Sequence, residues 1–148
     1  MKKKLRIGIL LNSYSISFWA YKMIKEINDS SYAEIVLIVK NDSKTIKKTI
    51  SKKLINNFNN ILYVIYRKLD KRIYPNKIDA FSQIDIRNIL KVDEISVKPI
   101  KTKFRDKIIK NDIDAIKEYQ VDLFIRMGFR ILSGDILKIS NFGVWSYH

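Results

Sequence analysis

Residues 121–148 read VDLFIRMGFRILSGDILKISNFGVWSYH, and this stretch decides the fold. Val121, Leu123, Phe124, Ile125 and Met127 form a near-continuous apolar run, the pattern of a parallel strand covered on both faces. Gly128 follows and frees the chain to leave the sheet. Ser133 is placed to cap a short helix, with Asp135 in its first turn, where negative charge meets the helix dipole favourably. Asn141 and Gly143 end that helix. Val144, Trp145, Ser146 and Tyr147 then run as a second strand, with Trp145 and Phe142 directed to the core and Tyr147 to a cleft. That strand delivers the single histidine of the chain, His148.

The upstream sequence repeats the same alternation. Ile7 to Leu11 is a candidate central strand, and the polar Asn12-Ser13-Tyr14-Ser15 that follows makes a loop. Ser15 or Ser17 is placed to cap the next helix, whose inward face is Ile16, Ala20, Met23, Ile24 and Ile27. Ile35 to Val39 is β-branched almost throughout and fits a strand buried on both sides. Strand, helix, strand makes a βαβ unit, which crosses over right-handed and pairs in parallel. Asn41-Asp42-Ser43 introduces a long helical segment with Ile46, Ile50, Leu54 and Ile55 on one stripe. After an asparagine-rich break, Leu62, Ile65, Tyr66, Leu69 and Ile73 resume the pattern until Pro75. The basic run Arg67, Lys68, Lys71 and Arg72 is read as a solvated helix face, with phosphate binding as the alternative. A turn of helix at Asp85–Leu90, a short outer strand at Ile95–Ile100 and a helix over Asp112–Tyr119 complete the order. The fold class is α/β, a Rossmann-like open and mostly parallel sheet in one domain over residues 1–148.

Bulk properties bound the function. With 47% hydrophobic and 30% charged residues, 148 residues are globular and long enough for a core. No cysteine is present, and one histidine leaves only carboxylates, so no metal site is expected. Neither G-x-G-x-x-G after the first strand nor a Walker-type G-K-[ST] occurs, which argues against a dinucleotide oxidoreductase or a P-loop enzyme. The opening MKKKLRIGILLNS is basic and then apolar, but Arg6 interrupts the run and it reads as a strand, not a signal peptide. No apolar run is long enough to cross a membrane. Cytoplasmic residence and no membrane partner are therefore expected. The net charge of +14 fits contact with RNA or an anionic substrate, or simply a composition rich in Lys, Ile and Asn. The even spread of lysines favours composition.

The C-terminal stretch resembles the formyltransferase family, which includes methionyl-tRNA formyltransferase and glycinamide ribonucleotide formyltransferase. Asp122 and Leu123 lead the strand, Gly128 to Leu132 stand at the loop, and Asp135 to Leu137 at the short helix. Ser146, Tyr147 and His148 stand at the family's Asn-x-His, with serine replacing asparagine. The resemblance implies the N-terminal domain of that fold, here shortened, without the later strands, the Arg-Gly pair and the catalytic aspartate. It implies formyl transfer from 10-formyltetrahydrofolate to an amine, with this form weakly active or inactive. His148 and Ser146 would be catalytic, stabilising the oxyanion as the amine attacks. Arg126, Gly128, Phe129, Ile131 and Leu132 would bind the folate, and Asn12 and Ser13 the acceptor. The acceptor would be an amino sugar (as a nucleotide sugar), another small amine or, less favoured, an aminoacyl-tRNA. The other reading is a non-catalytic, basic Rossmann-like binding module. The position of His148 past a parallel strand supports a site there, since open α/β sheets bind ligands beyond strand carboxyl ends.

Overall fold

A computed structural model describes residues 3–43, 61–74 and 79–147. The helical segment read at residues 43–55, Pro75 and His148 lie wholly or largely outside them. The chain forms two compact units, residues 1–43 with 80–148, and residues 44–79.

The larger unit is built on five parallel strands: β1 (Leu5–Leu11), β3 (Ala33–Asn41), β5 (Asp93–Val97), β8 (Leu123–Arg126) and β10 (Val144–Ser146). Their order is β10-β8-β1-β3-β5. The sheet thus grows outward from β1 in one direction and then, from β8, in the other. The crevice between β1 and β8 is the point where the winding reverses. Helix α1 (Phe18–Asn28) follows β1, and α3 (Lys110–Lys117) precedes β8. A 3-10 turn, Asp135–Leu137, lies between β8 and β10.

Both faces of the sheet are buried, as the apolar runs predict. Ile7, Ile9 and Leu11 face Ala20 and Ile24 of α1, while Leu10, Leu37, Val39 and Phe124 face Ile113 and Ile116 of α3. Gly8 lets the Phe124 ring lie against the sheet. A methyl at position 8 would stand 2.4 Å from that ring.

Several local expectations change. Ser17 occupies the N-cap of α1 but its side chain makes no cap bond. The Phe18 and Trp19 N–H groups donate instead to the Ser82 and Ala80 carbonyls at 2.8 and 3.1 Å. Ile16 belongs not to that helix but to β2 (Ser15–Ser17), antiparallel to β4 (Gln83–Asp85). Ser133 does not cap the late helix. It ends β9 (Ile131–Ser133), which runs parallel to β7 (Arg105–Lys107), and β7 pairs in turn with β6 (Ile100–Lys101). Gly134, with φ of 85°, takes the cap position of the 3-10 turn. Phe142 and Trp145 are not core residues: they are 59% and 63% exposed, Trp145 on the edge strand β10 and Phe142 in the turn that leads into it.

Asp122 fastens the start of β8. It accepts from the Arg6 backbone N–H (3.0 Å) and from Asn141 Nδ2 (2.8 Å). The Arg6 backbone bond, followed by the Asn141 bond, holds its carboxyl below the usual range against the opposing effect of burial. A folded pKa below the unfolded value of about 3.9 stabilises above that pH, and the contribution disappears as pH falls through the folded pKa. We expect Asp122→Asn to lower stability most near neutral pH. The gap from wild type should close below about pH 4. Urea unfolding across an acid series measures it; a gap independent of pH would refute this linkage.

In the smaller unit, α2 (Ile61–Ile73) is helical as expected. Its apolar stripe, however, is exposed: Leu62 is 83% and Ile73 66% exposed.

Candidate functional site

The carboxyl ends of β1, β3 and β8 meet at Asn12. Its Oδ1 accepts from the Phe129 backbone N–H (2.9 Å) and from Asn41 Nδ2 (3.0 Å). An N–H donor at Phe129 requires an acceptor opposite it, which fixes the orientation of the Asn12 amide. Asn12 Nδ2 keeps no partner among the described residues. Asn41 Oδ1 in turn accepts from the Ser43 N–H (3.0 Å).

Gly128 lies against this junction. A methyl there would stand 2.4 Å from the Asn12 nitrogen and 2.8 Å from the Leu11 carbonyl carbon. Its φ is not in the left-handed region. Close approach of two backbones, not conformational freedom, therefore requires glycine. Phe129 does take a left-handed φ of 66°, which costs a non-glycine residue about 1–3 kcal/mol. Burial of its ring and the bond to Asn12 hold it there.

Beside the junction lies an open cleft of about 200 Å³, lined by Trp19, Arg126, Met127, Gly128, Phe129 and Tyr147. Trp19 comes from the first turn of α1 and Tyr147 from just past β10. Their rings pack with centroids 4.7 Å apart. The cleft thus combines aromatic and thioether walls with loop backbone and one cation.

The nearby cations are not equivalent. Lys40 Nζ and the Arg87 guanidinium lie 4.5 and 4.4 Å from the centre of the Tyr14 ring. Arg87 also holds the Asp85 carboxyl down to about 2. The Tyr14 hydroxyl donates to Glu94 at 2.5 Å, and that carboxylate raises its pKa. Arg130 is engaged by the buried Asp106. Arg126 has no carboxylate partner among the described residues; its Nη1 donates to the Arg130 carbonyl at 2.6 Å.

The sequence-predicted residues therefore divide. Arg126, Gly128 and Phe129 line the cleft, and Asn12 ties its floor together. Ile131 and Leu132 stand on β9, the first 58% exposed and the second in the core, and neither lines the cleft. Ser13 serves the turn, accepting from the Ser15 N–H at 3.1 Å. Ser146 pairs with Arg126 in the β10–β8 ladder. His148 follows Tyr147, outside the described residues. Trp19 and Met127 were not singled out from sequence. Trp19 was accessible to reasoning, since the helix after a first parallel strand begins at the ligand-binding edge.

No protein-family model, no curated protein and no solved structure matches this chain. Among the described residues no group of acidic or histidine side chains is arranged to hold a metal ion. No helix there is long and apolar enough to cross a membrane.

Proposed function

We propose that the chain adopts a Rossmann-like formyltransferase fold and carries the site for formyl transfer from 10-formyltetrahydrofolate to an amine. One observation carries this reading: the Arg126–Phe129 loop and Asn12 meet where the sheet's winding reverses, beside an aromatic cleft. These are the residues on which the family resemblance places folate and acceptor. The crevice at such a reversal is where open α/β sheets bind ligands.

In this reading the flat ring of the folate lies in the cleft between the aromatic walls and the loop backbone. Arg126 meets its carboxylates. Asn12 Nδ2 donates to the acceptor. The amine nitrogen attacks the formyl carbon, an oxyanion forms, and the bond to the folate nitrogen breaks as the proton moves from the amine to that nitrogen. His148, one residue past the cleft-lining Tyr147, stabilises the oxyanion and moves the proton. Ser146 offers one hydroxyl hydrogen bond where the family has an amide. The acceptor is an amino sugar carried on a nucleotide or another small amine.

Trp19 makes the reading measurable. In a Trp145→Phe background, 10-formyltetrahydrofolate is expected to change Trp19 fluorescence saturably, with formylated product accumulating only slowly from a panel of amino sugars, in line with the weak activity that the resemblance implies. Saturable binding without product from any amine would favour the non-catalytic module. Absence of both binding and transfer would sink the folate reading.

A further inference from the structure

The near-even spread of lysines along the chain conceals a local excess. Residues 98–110, KPIKTKFRDKIIK, hold six basic residues and one acidic, a net +5 of the chain's +14. The acidic one, Asp106, is buried and neutralised by Arg130. Successive residues of a strand point to opposite faces, so Arg105 and Lys107 stand outward on β7, and both are exposed. The sheet order β6-β7-β9 puts that pair in the middle row. Ile131 and Ser133 of β9 stand opposite them on one side, and Ile100 of β6 stands opposite Lys107 on the other. Ile100 and Ile131 are 57% and 58% exposed. Phe104, in the turn between β6 and β7, is 64% exposed, with Lys103 Nζ 5.2 Å from the centre of its ring. Among the described residues no carboxylate pairs with Lys101, Lys103, Arg105 or Lys107.

We propose that this small sheet is a docking surface for single-stranded RNA. Four cations without carboxylate partners on one surface are complemented by a polyanion. Their arrangement selects among polyanions. A surface that docks on a bilayer gathers its apolar groups on the side that enters the lipid and its cations on the other. Here cations form the middle row, and Ile100, Ile131 and Phe104 flank it. A run of phosphates can follow that row while bases lie on the flanks, where the Phe104 ring offers a stacking platform. Stacking requires unpaired bases, and single-stranded segments are where RNA presents its bases to proteins. An acidic peptide would leave the Phe104 ring without a planar partner. The surface uses none of the cleft residues, and the proposal is independent of the formyl-transfer reading.

The test is fluorescence anisotropy of the full chain with a labelled oligouridylate of about twelve nucleotides, repeated from low to high salt. Each phosphate contact on a single strand contributes roughly −0.7 to the slope of log K against log salt, so four contacts give about −3. Arg105→Gln/Lys107→Gln is expected to bring the slope to about −1.4. Phe104→Ser is expected to weaken binding about tenfold and to leave the slope unchanged. These positions are exposed, and circular dichroism checks that the variants fold. Lys101→Gln/Lys103→Gln asks the same question should the β7 variant fail to fold. Lys22→Gln/Lys91→Gln, an equal loss of charge at exposed positions elsewhere, is expected to change little. A loss there as large as in Arg105→Gln/Lys107→Gln would overturn the proposal, because net charge alone would then account for binding. So would a slope indifferent to the β7 changes, or an affinity indifferent to Phe104→Ser. Binding to phosphatidylglycerol vesicles with none to the RNA would assign the surface to a membrane and overturn it equally.

Discussion

Arg130→Ala is expected to destabilise the larger unit by about 3 kcal/mol, lowering the melting temperature by on the order of 10 °C. Asp106 is 1% exposed, and its carboxylate is satisfied mainly by Arg130. Oδ1 accepts from Nε (3.0 Å) and Nη2 (2.8 Å), and Oδ2 from the Arg130 backbone N–H (2.9 Å). The guanidinium also donates to the carbonyls of Thr102 (3.0 Å), Lys103 (3.3 Å) and Arg105 (3.0 Å). One side chain thus joins the loop after β8 to the turn between β6 and β7. Removing it strands a buried charge and leaves loop carbonyls without their donor. The cost of breaking a buried pair is about 3–5 kcal/mol, and the 42% exposure of the Arg130 side chain places this pair at the lower end. The decisive comparison is the double variant Arg130→Ala/Asp106→Asn, which removes the stranded charge. If the charge is the cause, the double variant melts above Arg130→Ala. A double variant no more stable than the single would assign the loss to the carbonyl bonds instead.

This clamp marks where sequence reading stops. The central strands were legible because each carries a short, near-continuous apolar run, β-branched in Ile35–Val39, and two-sided burial implies parallel pairing. Helices α1 and α3 were legible from helical spacing; Ala20 and Ile24 are buried as read, and Ile113 and Ile116 of α3 are buried as well. The two small sheets were not. Ser15–Ser17 and Gln83–Asp85, or Arg105–Lys107 and Ile131–Ser133, are three-residue segments with little apolar signal, paired across dozens of positions. Their formation depends on contacts that local pattern does not encode. For the same reason Arg130 reads from sequence as a surface arginine, since the buried aspartate it serves lies 24 residues away. Trp145 and Phe142 were misplaced because apolar character does not reveal an edge strand or the exposed turn before it. The stripe of α2 was legible as a stripe, but periodicity does not say what covers it. In the candidate site, sequence singled out Arg126, Gly128, Phe129 and Asn12, whereas the contact between them spans 117 positions and emerges only in the fold.

Gly128→Ala is the substitution that tests that contact, and it is expected to cost about 3 kcal/mol, the upper end of the range for overpacking. The reason lies in what the new methyl meets. At Gly134 it would approach the flexible Lys107 side chain, and at Gly143 nothing lies nearer than 3.9 Å, so these two positions suffer backbone strain alone. Left-handed strain costs roughly 1–2 kcal/mol. At Gly128 the nearest atoms are the Asn12 nitrogen and the Leu11 carbonyl carbon, backbone at the end of the central strand. Neither can turn aside. The loop must lift, and the first casualty is the 2.9 Å bond from the Phe129 N–H to Asn12 Oδ1. Phe129 then loses the partner that secures its left-handed φ, and the cleft loses its floor between Met127 and Phe129. Stability and ligand binding should therefore fall together in Gly128→Ala, with affinity for the proposed folate ligand reduced tenfold or more, whereas Gly143→Ala should lose about 1 kcal/mol with the cleft intact. Urea unfolding and Trp19 fluorescence titration of the two variants side by side measure this. A Gly128→Ala protein as stable as Gly143→Ala would mean that the loop is held by its surroundings and not by contact with Asn12.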